Sequence, residues 1–189
     1  MNKNYQYGQK FWSDEYRLNA KLAMYPKPII SFLQGFTMGG GVGLGCHVSH
    51  RLVSETSKIA MPECGIGLVP DVGGSYILAQ TPVGLGEYLA TTGYRMSADD
   101  AILAGFADYF VPEGNWSNLK DHLIKTKKIS VLDSYCRKPI IGNLRKNLKK
   151  VETIFSKRNL LDIVKELRLD NTEFSNTALK LIEKNSPLA

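Results

Sequence analysis

Two carboxylates, Glu63 and Asp71, stand in the run AMPECGIGLVPDVGG (residues 60–74), where every other residue is apolar, glycine or a single cysteine. A carboxylate emerging from such surroundings either binds its proton more tightly or must be hydrogen-bonded. Both conditions suit acid/base or nucleophilic chemistry. Asp71 also has a plainer reading: placed just before a helix in PDVGG, its side chain accepts the N–H of Gly73 or Gly74 as an N-cap. Residue types alone leave these two readings open.

A second chemical element lies upstream, in TMGGGVGLG (residues 37–45). It is not a dinucleotide fingerprint: the third glycine of G-x-G-x-x-G falls on Leu44 counting from Gly39 and on Cys46 counting from Gly41. No GK[ST] follows, and the cluster lacks the serine of a nucleophile elbow. Three glycines opening a helix leave unhindered N–H groups, an arrangement that binds an oxyanion. A close helix-to-strand crossing that admits only glycine explains the cluster equally well.

The elements that must position these residues can be read from periodicity. FWSDEYRLNAKLAMY predicts a helix on Phe11, Glu15, Leu18, Leu22 and Tyr25, starting near Ser13 or Asp14 and stopped by Pro26 and Pro28. PIISFLQG reads as a buried strand, and HRLVSET and SKIAMPE as two strands around a polar turn, with Glu63 ending the second. GLGEYLATTG is a helix closed by Gly93, SADDAILAGFA a helix capped by Ser97, and DYFVP a last strand. Beyond Pro112 glycine becomes rare, and NLLDIVKELRL and NTALKLIEK are amphipathic helices. The chain divides into a glycine-rich α/β part, residues 1–114, and a basic helical part, residues 115–189.

With 189 residues, 43% hydrophobic and 22% charged, the chain has the composition of one globular domain. It contains no apolar run near the ~18 residues of a membrane span. The polar amino end lacks an apolar signal region, so the expected location is cytoplasmic or an organelle matrix. Cys46, Cys64 and Cys136 have no CxxC spacing, and His47 and His50 have no accompanying ligands. Buried or idle thiols and no metal are expected. The net charge of +6 is uneven: residues 1–114 carry 8 Lys+Arg against 10 Asp+Glu, and residues 115–189 carry 16 against 8. No recognition helix or RNP-like motif accompanies the cations, which favours a solvated helical face over a nucleic-acid surface.

Taken together, KPIISFLQGFTMGGGVGLG, AMPECGIGLVPDVGG and ATTGYRMSADDAILAGFADYFVP resemble the crotonase (enoyl-CoA hydratase/isomerase) superfamily. They are most similar to its branch that hydrolyses 3-hydroxyisobutyryl-CoA in valine breakdown. Hydratases of the superfamily carry a second catalytic glutamate two residues after the glycine triplet, and here that position is Gly43. The hydrolase branch instead pairs the glutamate of MPE with the aspartate of PDVGG, here Glu63 and Asp71. The resemblance implies an α/β fold, a partial crotonase-like spiral of ββα units followed by a helical C-terminal region. The implied activity is hydrolysis of acyl-CoA thioesters, with hydration or isomerisation on Glu63, or an inactive fragment, as alternatives.

The same resemblance assigns roles. The N–H of Gly40 polarises the thioester carbonyl, Glu63 is nucleophile or general base, Asp71 binds the substrate hydroxyl and assists proton transfer, and Glu15 contacts substrate. Acyl-CoA is the substrate, no cofactor is needed because CoA is part of it, and the enzyme assembles as a homo-oligomer without membrane or nucleic-acid partners. Superfamily members extend further at both ends, so a chain truncated at both ends is expected, without the loop that donates the second oxyanion N–H.

Overall fold

In the computed structural model, which describes residues 5–189, helix α1 (Gln6–Ala23) begins well before the predicted start at Ser13 or Asp14. Tyr5 is its N-cap, without a side-chain cap bond, and Asp14 sits mid-helix paired with Lys10 at 2.6 Å. The helix turns its polar face inward. Asn19 is buried and Glu15 half-buried, while Phe11, Trp12 and Leu18 are exposed. The apolar periodicity located the helix but not the face it buries.

Five strands among the described residues form two parallel sheets. β1 (Ile30–Leu33) pairs with β3 (His50–Val53), and β3 pairs with β5 (Tyr109–Phe110). β2 (Phe36–Met38) pairs with β4 (Lys58–Ala60), in register from Phe36↔Lys58 to Met38↔Ala60. The two strands predicted around the polar turn at Glu55 therefore exist but belong to different sheets. The strand before Glu63 stops at Ala60, and Glu63 opens a 3-10 turn, Glu63–Ile66. Because Met38 and Ala60 are partners at the same end of a parallel pair, the segments that follow them leave side by side. Ligand sites form beyond the carboxyl ends of parallel strands for this reason, and here the two segments are the glycine cluster and the Glu63 turn.

The glycine cluster forms a short helix, α2 (Gly40–Gly45), and PDVGG leads into α3 (Gly74–Leu78). α4 (Leu85–Thr92) ends at Gly93 in the left-handed region, as the sequence predicts. α5 (Ala98–Leu103) starts at Ser97 in a reciprocal capping box with Asp100. After β5 the described chain is helical: α6 (Trp116–Thr126), α7 (Leu132–Tyr135), α8 (Asn143–Phe155), α9 (Leu160–Asp170) and α10 (Glu173–Glu183).

One hydrophobic cluster draws on both parts of the chain, joining Val42, Met61, Leu85 and Phe106 to Val151, Phe155 and Leu167. Beyond α10 the chain returns to the Glu63 turn, where the Ser186 N–H donates to the Cys64 carbonyl at 3.0 Å. Several cations of the basic part are committed to ion pairs, Lys150 with Asp170 and Lys157 with Glu166.

Asp99 fastens α5 to α8. Its nearly buried carboxylate accepts from Arg145 Nε and Nη2 at 2.9 Å each and from the Gly142 N–H at 2.9 Å. The Arg145 hydrogen bond, against the opposing effect of burial, holds the Asp99 carboxyl below its ordinary value of 3.8. An acid with a lowered folded pKa binds more protons when unfolded. Its stabilisation is thus complete above the ordinary value and fades as pH falls through the folded one. Asp99→Ala is expected to lower stability by about 1.5–3 kcal/mol at neutral pH, with the difference shrinking below pH 4 in urea titrations.

Candidate active site

Gly39, the N-cap of α2, has φ 50° and ψ −120°, a conformation that glycine adopts without steric strain. A Cβ there would lie 3.0 Å from Glu63 Oε1, and a Cβ on Gly40 would lie 3.0 Å from Glu15 Oε1. Two carboxylates therefore press against the bare backbone of consecutive glycines. The first N–H groups of a helix have no intrahelical acceptor, and Gly40 is exposed.

Further along α2 the same residue type serves packing. A Cβ on Gly43 would come within 2.7 Å of Asn19 Nδ2 and 2.8 Å of Val72 Cβ. The close-crossing reading of the glycine cluster holds at Gly43, while Gly39 and Gly40 lie against the Glu63 and Glu15 carboxylates. At the position that the resemblance gives to a hydratase's second acid, a side chain would have to displace Asn19 and Val72.

Glu63 is 5% exposed, and its Oε2 has no hydrogen-bond partner among the described residues. Burial raises its pKa, opposed by a hydrogen bond from its own backbone and reinforced by the charge of Asp71. The fold thus brings the two acids of AMPECGIGLVPDVGG close enough to interact.

Asp71 is not an N-cap. Gly73 occupies that position for α3 with no side-chain cap bond, and the half-buried Asp71 carboxylate instead accepts from the Tyr16 hydroxyl at 2.8 Å. Desolvation, that hydrogen bond and the charges of Asp71 and Glu15 push the Tyr16 phenol up to about 12, so it remains a donor at physiological pH. The next residue, Val72, has φ 46° although it is β-branched, a strained conformation of order 1–3 kcal/mol. His47 Nε2 meets the Val72 carbonyl at 2.7 Å and holds the strained turn.

The four predicted residues thus converge: Glu15 lies against Gly40, Glu63 against the adjoining Gly39, and the charge of Asp71 reaches Glu63. Sequence reasoning missed Tyr16, Asn19, Val72 and His47. The available signal was that Asn19 follows Glu15 by one helical turn, which places those two on one face, against Gly43 and Gly40. Cys46, beside α2, is buried with its thiol pushed up to about 12, and all three cysteines are free. Among the described residues no group of three His, Cys, Asp or Glu could hold a metal. No described helix is long and apolar enough to cross a membrane.

Over residues 1–189 the chain matches the family described as enoyl-CoA hydratase/isomerase. A mitochondrial 3-hydroxyisobutyryl-CoA hydrolase of Xenopus tropicalis is 39% identical over 190 residues, covering 95% of this chain and 49% of that protein. The chain thus spans about half the length of the curated relatives it matches. Among solved structures, an enoyl-CoA hydratase from Rhodobacter sphaeroides is 46% identical with a TM-score of 0.92, covering 99% of this chain and 54% of that one. A carnitinyl-CoA dehydratase from Mycobacterium thermoresistibile is 38% identical with a TM-score of 0.94, covering 98% and 54%.

Proposed function

Because the chain belongs to the enoyl-CoA hydratase/isomerase family, we propose that it acts as an acyl-CoA thioester hydrolase on 3-hydroxyisobutyryl-CoA, a reaction of valine breakdown. The observation that carries this reading is the buried Glu63 carboxylate, with one oxygen against Gly39 and the other unpartnered among the described residues, together with a Gly43 whose added Cβ would press on Asn19 and Val72. The names of the curated relatives agree with it.

In this mechanism the Gly40 N–H hydrogen-bonds the thioester carbonyl oxygen as it becomes an oxyanion. One such donor is worth about 10²–10³ in rate. Glu63 either takes a proton from the attacking water or attacks the carbonyl carbon itself, giving an anhydride that water then hydrolyses. On both routes the carbon–sulfur bond breaks, one water is consumed, the acyl group leaves as the free acid and the displaced water proton leaves on the CoA thiol. Asp71 accepts from the acyl hydroxyl and assists proton transfer, held in place by Tyr16. Glu15 borders the carbonyl site. No cofactor is required beyond the CoA of the substrate. Assembly as a homo-oligomer, and a location in the bacterial cytoplasm or an organelle matrix, complete the proposal.

A second reading, hydration or isomerisation on Glu63, draws support from the likeness to the enoyl-CoA hydratase of Rhodobacter sphaeroides. Product analysis with crotonyl-CoA separates the two: hydration consumes the enoyl group and leaves the thioester intact, whereas hydrolysis releases free thiol. Thiol release without hydration is expected, and hydration without thiol release overturns the hydrolase reading.

Tyr16→Phe removes the hydroxyl that donates to Asp71. It is expected to lower kcat/KM for 3-hydroxyisobutyryl-CoA roughly tenfold, the scale of a hydrogen bond to a charged group. An unchanged kcat/KM would remove Tyr16 from the mechanism.

A further inference from the structure

Asn19 is 5% exposed, yet neither its Nδ2 nor its Oδ1 has a hydrogen-bond partner among the described residues. Buried side-chain amides are almost always hydrogen-bonded, so two unpaired atoms on one side chain point to a ligand. The side chain lines a cleft of ≈ 530 Å³ together with Tyr16, His47, Gly73 and Tyr76.

The placement of the amide is specific. Its Nδ2 lies 2.7 Å from where a Cβ on Gly43 would be, and Glu63 Oε1 lies 3.0 Å from where a Cβ on Gly39 would be. Tyr16, which lines the same cleft, donates to the Asp71 carboxylate at 2.8 Å, so the cleft that Asn19 lines adjoins Asp71.

We propose that Asn19 determines specificity for a hydroxyl on the acyl chain, a reading that rests on the thioesterase function of this site. An amide presents both donor and acceptor, and a hydroxyl matches both. An oxo group accepts only, and an alkyl group does neither. The Nδ2–H group donates to the hydroxyl oxygen, while Asp71 or Asn19 Oδ1 takes the hydroxyl proton. Asp71, joined to the cleft through Tyr16, repels a carboxylate in the same place, which leaves a neutral hydroxyacyl thioester as the fitting class.

The test compares the Kd of 3-hydroxyisobutyryl-CoA with that of isobutyryl-CoA by titration calorimetry, in Glu63→Gln protein so that turnover is slow. With Asn19 present, the hydroxylated compound is expected to bind about 10- to 100-fold more tightly. In Asn19→Leu the preference is expected to shrink to about twofold, with isobutyryl-CoA binding retained as evidence of folding. Equal binding of both compounds with Asn19 present, binding of neither, or an undiminished preference in Asn19→Leu overturns the proposal. The first of these requires no Asn19 variant, so a misfolded Asn19→Leu does not rescue it. A hydroxyl preference in protein whose Glu63 form releases no thiol sinks the thioesterase reading and leaves the role of Asn19 standing.

Discussion

Glu63→Gln is expected to lower thiol release from 3-hydroxyisobutyryl-CoA by about 10²–10⁴-fold and to raise the thermal midpoint at neutral pH. The two effects share one cause. The carboxylate is buried against Gly39 with one oxygen unpartnered, and burial raises its pKa above the ordinary 4.5. An acid with a raised folded pKa binds more protons folded than unfolded. The penalty of its charge therefore grows as pH rises through 4.5 and is complete above the folded value. Glutamine carries no charge, so its stabilisation is expected at pH 7 and absent below 4.5. Thermal melts at the two pH values check this. A variant destabilised at pH 7 would mean that the carboxylate is held by partners rather than left desolvated for chemistry.

Gly43→Glu is expected to lower stability by about 3–5 kcal/mol, or to prevent folding, without creating hydratase activity. The first added atom would meet Asn19 Nδ2 at 2.7 Å and Val72 Cβ at 2.8 Å. Val72 is already strained at φ 46° and cannot easily yield. A carboxylate forced into that contact is a buried charge without a cation beside it. Gly43→Ala carries the steric part alone and is expected to lower stability by about 1–3 kcal/mol. Urea midpoints of the two variants separate the terms. A well-folded Gly43→Glu protein that hydrates crotonyl-CoA would contradict the packing described for α2.

The acids, the glycines and most elements were legible in the sequence because each rests on a local signal. Ser97 with Asp100 announces a helix start, Gly93 announces an end, and β-branched runs announce strands. Strand partners were not legible: β3 and β4 are joined by a short polar turn yet lie in different sheets, because β2 inserts as the partner of β4. Nor was the buried face of α1, whose inward residues are Glu15 and Asn19 while Phe11 and Trp12 face outward. Apolar periodicity misleads where an inward polar face belongs to a site. The same inversion hid Tyr16, whose bond to Asp71 spans 55 residues. Asp71 as a helix cap was a sound local inference, and a non-local hydrogen bond displaced it.

The measurement that bears most directly on Glu63 as the group that opens the thioester is free-thiol release from 3-hydroxyisobutyryl-CoA by this 189-residue chain, followed with a thiol-reactive chromophore alongside the Glu63→Gln variant. Release of one thiol per thioester is expected from the Glu63 chain, with a rate at least about a hundredfold lower in the variant. Equal rates in the two proteins, or a thioester that stays intact with the Glu63 chain, would contradict that role.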